Sequence, residues 1–166
     1  MSRTKILVLC TGNSARSVLG EALLNRQGEG RVTAFSAGSR PVGAVNPGAL
    51  RLLAREGYAI DEFRSKSWSE FSAPGAPHID LVITVCGNAA GEACPVFPGT
   101  PVRGHWGLAD PAAVAGSESD IDRAFTETYR LLEARIAALL ALPFETIPRA
   151  ELERQLAKIG AMAGAA

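Results

Sequence analysis

The chain has 166 residues, with hydrophobic side chains at 47% and charged ones at 20%. That is the composition of a globular chain with a core of its own. Lysine plus arginine and aspartate plus glutamate each number 17, so the formal charge is zero and gives no electrostatic footprint for nucleic acid or an anionic membrane surface. No apolar run is long enough to span a bilayer. The opening "MSRTKILVLC" is too short and too strand-like for a signal peptide, and a cytoplasmic location is expected.

The first element in chain order is "KILVLC", a continuous apolar run with β-branched members, as in a buried parallel strand. "SVLGEALLNRQ" carries Val18, Leu19, Ala22 and Leu23 at helical spacing. "RVTAFSAG" reads as a second strand. "NPGALRLLAREG" reads as a helix capped by Asn46, with Pro47 in its first turn and Gly57 stopping it. "SWSEF" has Ser67 and Glu70 at capping-box spacing and predicts a short helix. "IDLVITVC" is the third strand and "PVRGHW" a fourth, separated by the Gly-, Ala- and Pro-rich "GNAAGEACPVFPGT". After the loop "GLADPAAVAGSES", the spacing of Ile121, Phe125, Leu132 and Ile136 predicts a long amphipathic helix from about Asp120 to Leu142, ended by Pro143. Ile147, Leu152, Leu156 and Ile159 predict one more short helix before a small-residue end.

Strands alternating with helices define an α/β fold, a four-stranded parallel sheet with helices on both faces. Residues 1–143 form the expected domain, and 144–166 a helical tail packed on it or extending from it. Ligands in such folds bind beyond the carboxyl ends of the strands. The three cysteines fall at or after strand ends: Cys10 after the first, Cys86 after the third and Cys94 in the loop beyond. Asp110 comes shortly after the fourth strand. An odd cysteine count without an export signal argues against a disulfide framework. The absence of a Cys-x-x-Cys pair and the presence of only two histidines, His78 and His105, argue against structural zinc. No metal or organic cofactor is expected.

"CTGNSARS" carries the chemistry. A strand leads in and a helix leads out, and Gly12 and Asn13 suit the left-handed backbone of a tight loop. Such a loop, running through Thr11, Gly12, Asn13, Ser14 and Ala15, can aim successive N–H groups inward as an anion nest. The following helix adds its positive N-terminus. Arg16 offers a planar fork for two oxygens of a tetrahedral anion. The same field favours the thiolate of Cys10, making it a nucleophile, and Ser17 is placed to donate to its sulfur. Asp110, in "ADPAA", has two readings: an acid that protonates a leaving oxygen, or a turn or cap aspartate before proline. His105 and Trp106 read as packing and hydrogen-bonding residues, and His78 as a solvated loop residue.

"CTGNSARS" resembles the active-site loop of the low-molecular-weight protein tyrosine phosphatases and of the arsenate reductases that share their fold. "SAG" at Ser36–Gly38 and "NP" at Asn46–Pro47 are similar as well, and the resemblance covers roughly residues 5 to 142. It implies that Asp110 is the acid. Phosphatases of this kind follow their Asp-Pro with an aromatic residue, where this chain has Ala112 and Ala113.

"VITVCGNAAGEACPVFPGTPVRGHWGLADPAA" closely resembles the corresponding region of the thioredoxin-coupled arsenate reductases. That implies arsenate as substrate, Cys10 as nucleophile, Cys86 as second thiol and Cys94 as third, in a thiol–disulfide relay. The implied donor is thioredoxin, with glutathione and glutaredoxin as the alternative. The other readings are a low-molecular-weight phosphatase with incidental cysteines and an oxyanion-binding or redox-sensing module without turnover. Seven residues separate Cys86 from Cys94, one different from some relatives, and Ala15 stands where some carry an additional cysteine. Asn13, Glu21 and Ser36 match a monovalent-cation site of some relatives, but no carboxylate completes the set and no site is assigned. A helical Cys86–Cys94 segment would separate the two Cα atoms by roughly 12 Å, against the ~7 Å limit of a disulfide. A compact loop or one that unravels on oxidation is therefore expected, with mobility from Gly87 to Pro98.

Overall fold

In the computed structural model the described residues are 3–85, 97 and 100–162. Cys86, Cys94 and all of the Gly87–Pro98 segment but Phe97 lie outside them. The elements are β1 (Thr4–Cys10), α1 (Arg16–Gln27), β2 (Val32–Gly38), α2 (Pro47–Arg55), β3 (Leu81–Thr84), β4 (Val102–His105), α3 (Glu118–Leu140) and α4 (Arg149–Gly160). The four strands form one sheet in the order β2-β1-β3-β4, and every pairing is parallel.

The two-residue period of β1 divides the interior. Ile6, Val8 and Cys10 face a large core shared with Leu19 and Leu23 of α1, Leu52 of α2, Leu132 and Ile136 of α3, and Leu152 and Leu156 of α4. Leu7 and Leu9 face a smaller core with Ala37, Phe71, Ile79, Val82 and Phe97, to which a 3-10 turn at Trp68–Phe71 contributes. β1 is central and its successors pair on opposite sides of it: β2 on one edge, β3 on the other. The crevice of a doubly wound sheet opens where the strand order reverses in this way. The loop after Cys10 stands there.

Local boundaries follow capping chemistry. α2 starts as expected, with Asn46 accepting from the Gly48 amide at 2.8 Å and Pro47 in the first turn. α3 begins two residues before the expected Asp120, because Ser117 and Asp120 cap each other reciprocally. The expected capping box at Ser67 and Glu70 is half formed. Ser67 accepts from the Ser69 amide, but the Glu70 carboxylate turns to Arg64 at 2.6 and 3.0 Å, since a guanidinium fork outbids a single backbone donor.

α4 is fastened to the end of β4. The indole N–H of Trp106, itself 1% exposed, donates to the Leu156 carbonyl at 3.0 Å. Gly160 lies so close to His105 that a Cβ there would run into the His105 carbonyl oxygen. Alanine ordinarily improves a helix by about 1 kcal/mol over glycine. Gly160→Ala should instead lower stability by roughly 1–3 kcal/mol through overpacking, read as a lower urea midpoint; a raised midpoint would show that this contact does not hold α4.

Candidate functional site

The loop between β1 and α1 is shaped from outside. The carbonyl of Thr11 accepts from the Arg40 amide at 2.9 Å, that of Gly12 from the Val42 amide at 3.1 Å and the Ser65 hydroxyl at 3.0 Å, and that of Ser14 from the Asn46 amide at 2.8 Å. In a trans peptide the C=O and the next N–H point in opposite directions. Turning these three carbonyls outward therefore turns the amides of Gly12, Asn13 and Ala15 inward. α1 begins immediately afterwards, with no side-chain cap at Ala15 and no acidic residue in its first turn. Its first amides and the positive end of its dipole thus face the same concavity.

Asn13 holds the left-handed conformation, with φ 46°, while Gly12 is not among the positive-φ residues. The tight loop therefore turns on Asn13 alone of the two residues expected to permit it. Asparagine tolerates this backbone because its amide bonds locally. Its side chain is fully buried. The Oδ1 accepts from the Lys66 amide at 2.8 Å, and the Nδ2 donates to Ser17 Oγ at 2.9 Å. That donation leaves the Ser17 proton free for Cys10, whose Sγ lies 2.9 Å from Ser17 Oγ. Cys10 is 4% exposed, at the floor of the loop.

Gly38, the last residue of "SAG", is required by close approach. A Cβ there would collide with the Thr11 carbonyl and press on Asn13.

Arg16, with 15% of its side chain exposed, donates from Nη1 to the Leu108 carbonyl at 2.7 Å and holds Nη2 3.6 Å from Asp110 Oδ2. Asp110 is a cap, as one of its two readings expects, and it also faces Arg16. Its Oδ1 accepts from the Ala112 amide at 3.0 Å, capping a 3-10 turn at Pro111–Ala113, while Oδ2 faces Arg16. The cap fixes the carboxyl without consuming its second oxygen. Cys10, Arg16 and Asp110 thus belong to one site at the carboxyl edge of the sheet, and Thr11–Ser17 form its wall. His105 is exposed, with Nδ1 2.6 Å from Thr84 Oγ1.

Sequence reading missed the segment 64–67. Gly38 bridges to Ser67, the Gly38 amide donates to the Lys66 carbonyl, and Ser65 and Lys66 brace Gly12 and Asn13. Most of these contacts are made by backbone, which leaves no residue signature. Beneath them lies a charged pair, Lys66 Nζ to Glu21 Oε1 at 3.7 Å, with side chains only 9% and 15% exposed. Ser36 donates to Glu21 at 2.8 Å. Burial pushes the Glu21 carboxyl above its ordinary value, opposed by the Lys66 charge and the Ser36 hydroxyl. Burial likewise holds Lys66 below the ordinary lysine value, opposed by Glu21. Desolvation thus outweighs attraction on both sides, as is usual for a buried pair.

The profile of the low molecular weight phosphotyrosine protein phosphatase family matches residues 5–158, and the chain belongs to that family. It is 38% identical over 121 residues to an arsenate reductase of Bacillus licheniformis, an overlap of 72% of this chain and 83% of that one. Among solved structures it is similar to the arsenate reductase from Archaeoglobus fulgidus, with a TM-score of 0.59 and 26% identity over 80% of this chain and 98% of that one. It is also similar to a Corynebacterium glutamicum thioredoxin-dependent arsenate reductase, with a TM-score of 0.54 and 25% identity over 84% of this chain and 64% of that one.

Lys66→Met strands the Glu21 carboxylate and should cost about 3 kcal/mol at pH 7, measured by urea unfolding. A carboxyl whose folded pKa is raised binds its proton more tightly in the native state. The deficit should therefore shrink as pH falls toward the ordinary Glu value of 4.5. The double variant Glu21→Gln/Lys66→Met should recover most of the loss. A deficit independent of pH would show that Lys66 acts by packing alone.

Proposed function

We propose that this chain is an arsenate reductase working through a three-cysteine relay regenerated by thioredoxin. Support comes from the anion loop with Cys10 at its floor, the 38% identity to an arsenate reductase across most of the chain, and two further cysteines at Cys86 and Cys94. The observation that carries the first step is the Asn13–Ser17–Cys10 chain of hydrogen bonds, which holds the Cys10 sulfur in place at the floor of the loop.

Arsenate enters the nest with its oxygens on the inward amides, and the Arg16 fork turns from Leu108 to the anion. The Cys10 thiolate attacks arsenic. A sulfur–arsenic bond forms as the bond to a hydroxyl of the arsenate breaks, and that hydroxyl departs as water, taking the proton of Asp110. The Cys86 thiolate then attacks the Cys10 sulfur. The new disulfide forms as the sulfur–arsenic bond breaks, and its electron pair stays on arsenic, which leaves as arsenite. Cys94 attacks Cys86, freeing Cys10 as thiolate and leaving a Cys86–Cys94 disulfide. A thioredoxin dithiol reduces that bond and is itself oxidised. Small residues at Ala112 and Ala113, both exposed beside Asp110, offer no aromatic wall for a tyrosyl phosphate.

The test couples arsenate to NADPH oxidation through thioredoxin and thioredoxin reductase, with a glutathione and glutaredoxin system in parallel to choose the donor. Cys86→Ser and Cys94→Ser should each abolish turnover; full turnover in both would defeat the relay. Asp110→Asn should slow the first step by roughly 10²-fold or more. Arg16→Lys, which loses the bidentate fork, should cost a comparable factor. Any hydrolysis of an aryl phosphate should survive in Cys86→Ser, because hydrolysis needs only the loop and the acid.

A further inference from the structure

Arg135, on α3, is a fully buried charge among the described residues that the mechanism above does not use. It is 0% exposed. Among the described residues no carboxylate pairs with it, and every hydrogen bond it makes goes to backbone carbonyls. Nη1 donates to Trp106 at 3.2 Å and to Gly107 at 3.3 Å, and Nη2 to Met162 at 3.5 Å. Its Nε is buried with no partner. Burial holds the guanidinium below the ordinary arginine value, yet arginine keeps its proton at neutral pH. A permanent cation without a counter-charge is costly in a core. What meets the charge here is main-chain oxygen from two sides: Trp106 and Gly107 just after β4, and Met162 just past the end of α4.

Two of the carbonyls that Arg135 grips belong to the segment that follows β4 into the site. Trp106 and Gly107 are followed by Leu108, whose carbonyl takes Arg16 Nη1 at 2.7 Å, and by Asp110, 3.6 Å from Arg16 Nη2. The segment is held twice more from the sheet side, by the Trp106 amide on Thr84 at 2.7 Å and the Leu108 amide on Val85 at 3.0 Å. Residues 106–110 therefore run between two guanidiniums, Arg135 behind and Arg16 in front. We infer that Arg135 is a positioning residue: it couples α3 and the end of α4 to the Trp106–Leu108 backbone, and through it sets where Asp110 stands against Arg16. This rests on the reading of Asp110 as the acid of the proposed reaction, and it makes the C-terminal helix a support of the site.

Two readouts test it, one independent of activity. In Arg135→Met, amide exchange at Leu108 and Ala112 should rise at least tenfold while β1 amides keep their protection. Ala112 reports the Asp110 cap and Leu108 the tether to Val85. Wild-type exchange at both positions would overturn the inference, whatever the protein turns over. Arsenate turnover is then measured in a cycle with Asp110→Asn. Arg135→Met should slow the native chain at least tenfold but the Asp110→Asn chain less than twofold, since both act through one carboxyl. An equal loss in both backgrounds would mean that Arg135 merely stabilises the fold, and would also overturn it. Arg135→Lys, which keeps the charge and reaches one carbonyl, should fall between the two. It carries the same comparisons should Arg135→Met not fold. A wild-type chain that leaves arsenate unreduced contradicts the proposed function, while the exchange measurement still decides the placement.

Discussion

The site depends on one buried asparagine in a left-handed turn. Asn13 reverses the chain after β1, and its amide bonds in both directions at once, to the Lys66 amide behind and the Ser17 hydroxyl ahead. The first bond anchors the turn to the segment 64–67. The second orients the hydroxyl that meets the Cys10 sulfur. With the turn fixed, the outward carbonyls of Thr11, Gly12 and Ser14 follow, and the inward amides with them. An anion nest needs dipoles that are already aligned before the anion arrives, because reorganising them would consume the binding energy they supply. Here the alignment is enforced by the amides of Arg40, Val42 and Asn46 and by the Ser65 hydroxyl.

Two buried ionic features stand behind this arrangement. The Glu21–Lys66 pair is dominated by desolvation on both partners, and Arg135 meets only carbonyls among the described residues. Lys66 belongs to the segment that pins Asn13, and Arg135 to the layer that carries the Asp110 loop. The Cys10 side and the Asp110 side of the site each have buried charge one layer back.

The sequence was legible where chemistry and local structure share the same residues. "CTGNSARS" displayed Cys10, Arg16 and Ser17 together because loop, helix start and nucleophile are contiguous. The alternation of apolar strands and amphipathic helices predicted the parallel sheet, which the structure bears out. Asp110 is ambiguous in the sequence because one carboxyl both caps the Pro111–Ala113 turn and faces Arg16 with its other oxygen. Glu70 was misread because Arg64, six residues away, competes for it in a way no capping pattern encodes. Ser65, Lys66 and Arg135 were missed for a common reason. They reach the site largely through contacts with main-chain groups, and backbone carries no sequence signature of its own.

The most direct measurement is a single turnover without any external reductant. The fully reduced chain is mixed with arsenate, arsenite is counted, and the thiols are mapped by peptide mass. The relay predicts one arsenite for two thiols lost, with the disulfide between Cys86 and Cys94 and Cys10 free again. In Cys94→Ser the disulfide should instead be caught between Cys10 and Cys86. Three free thiols with no arsenite, or arsenite formed with Cys86 still a thiol, would contradict the account.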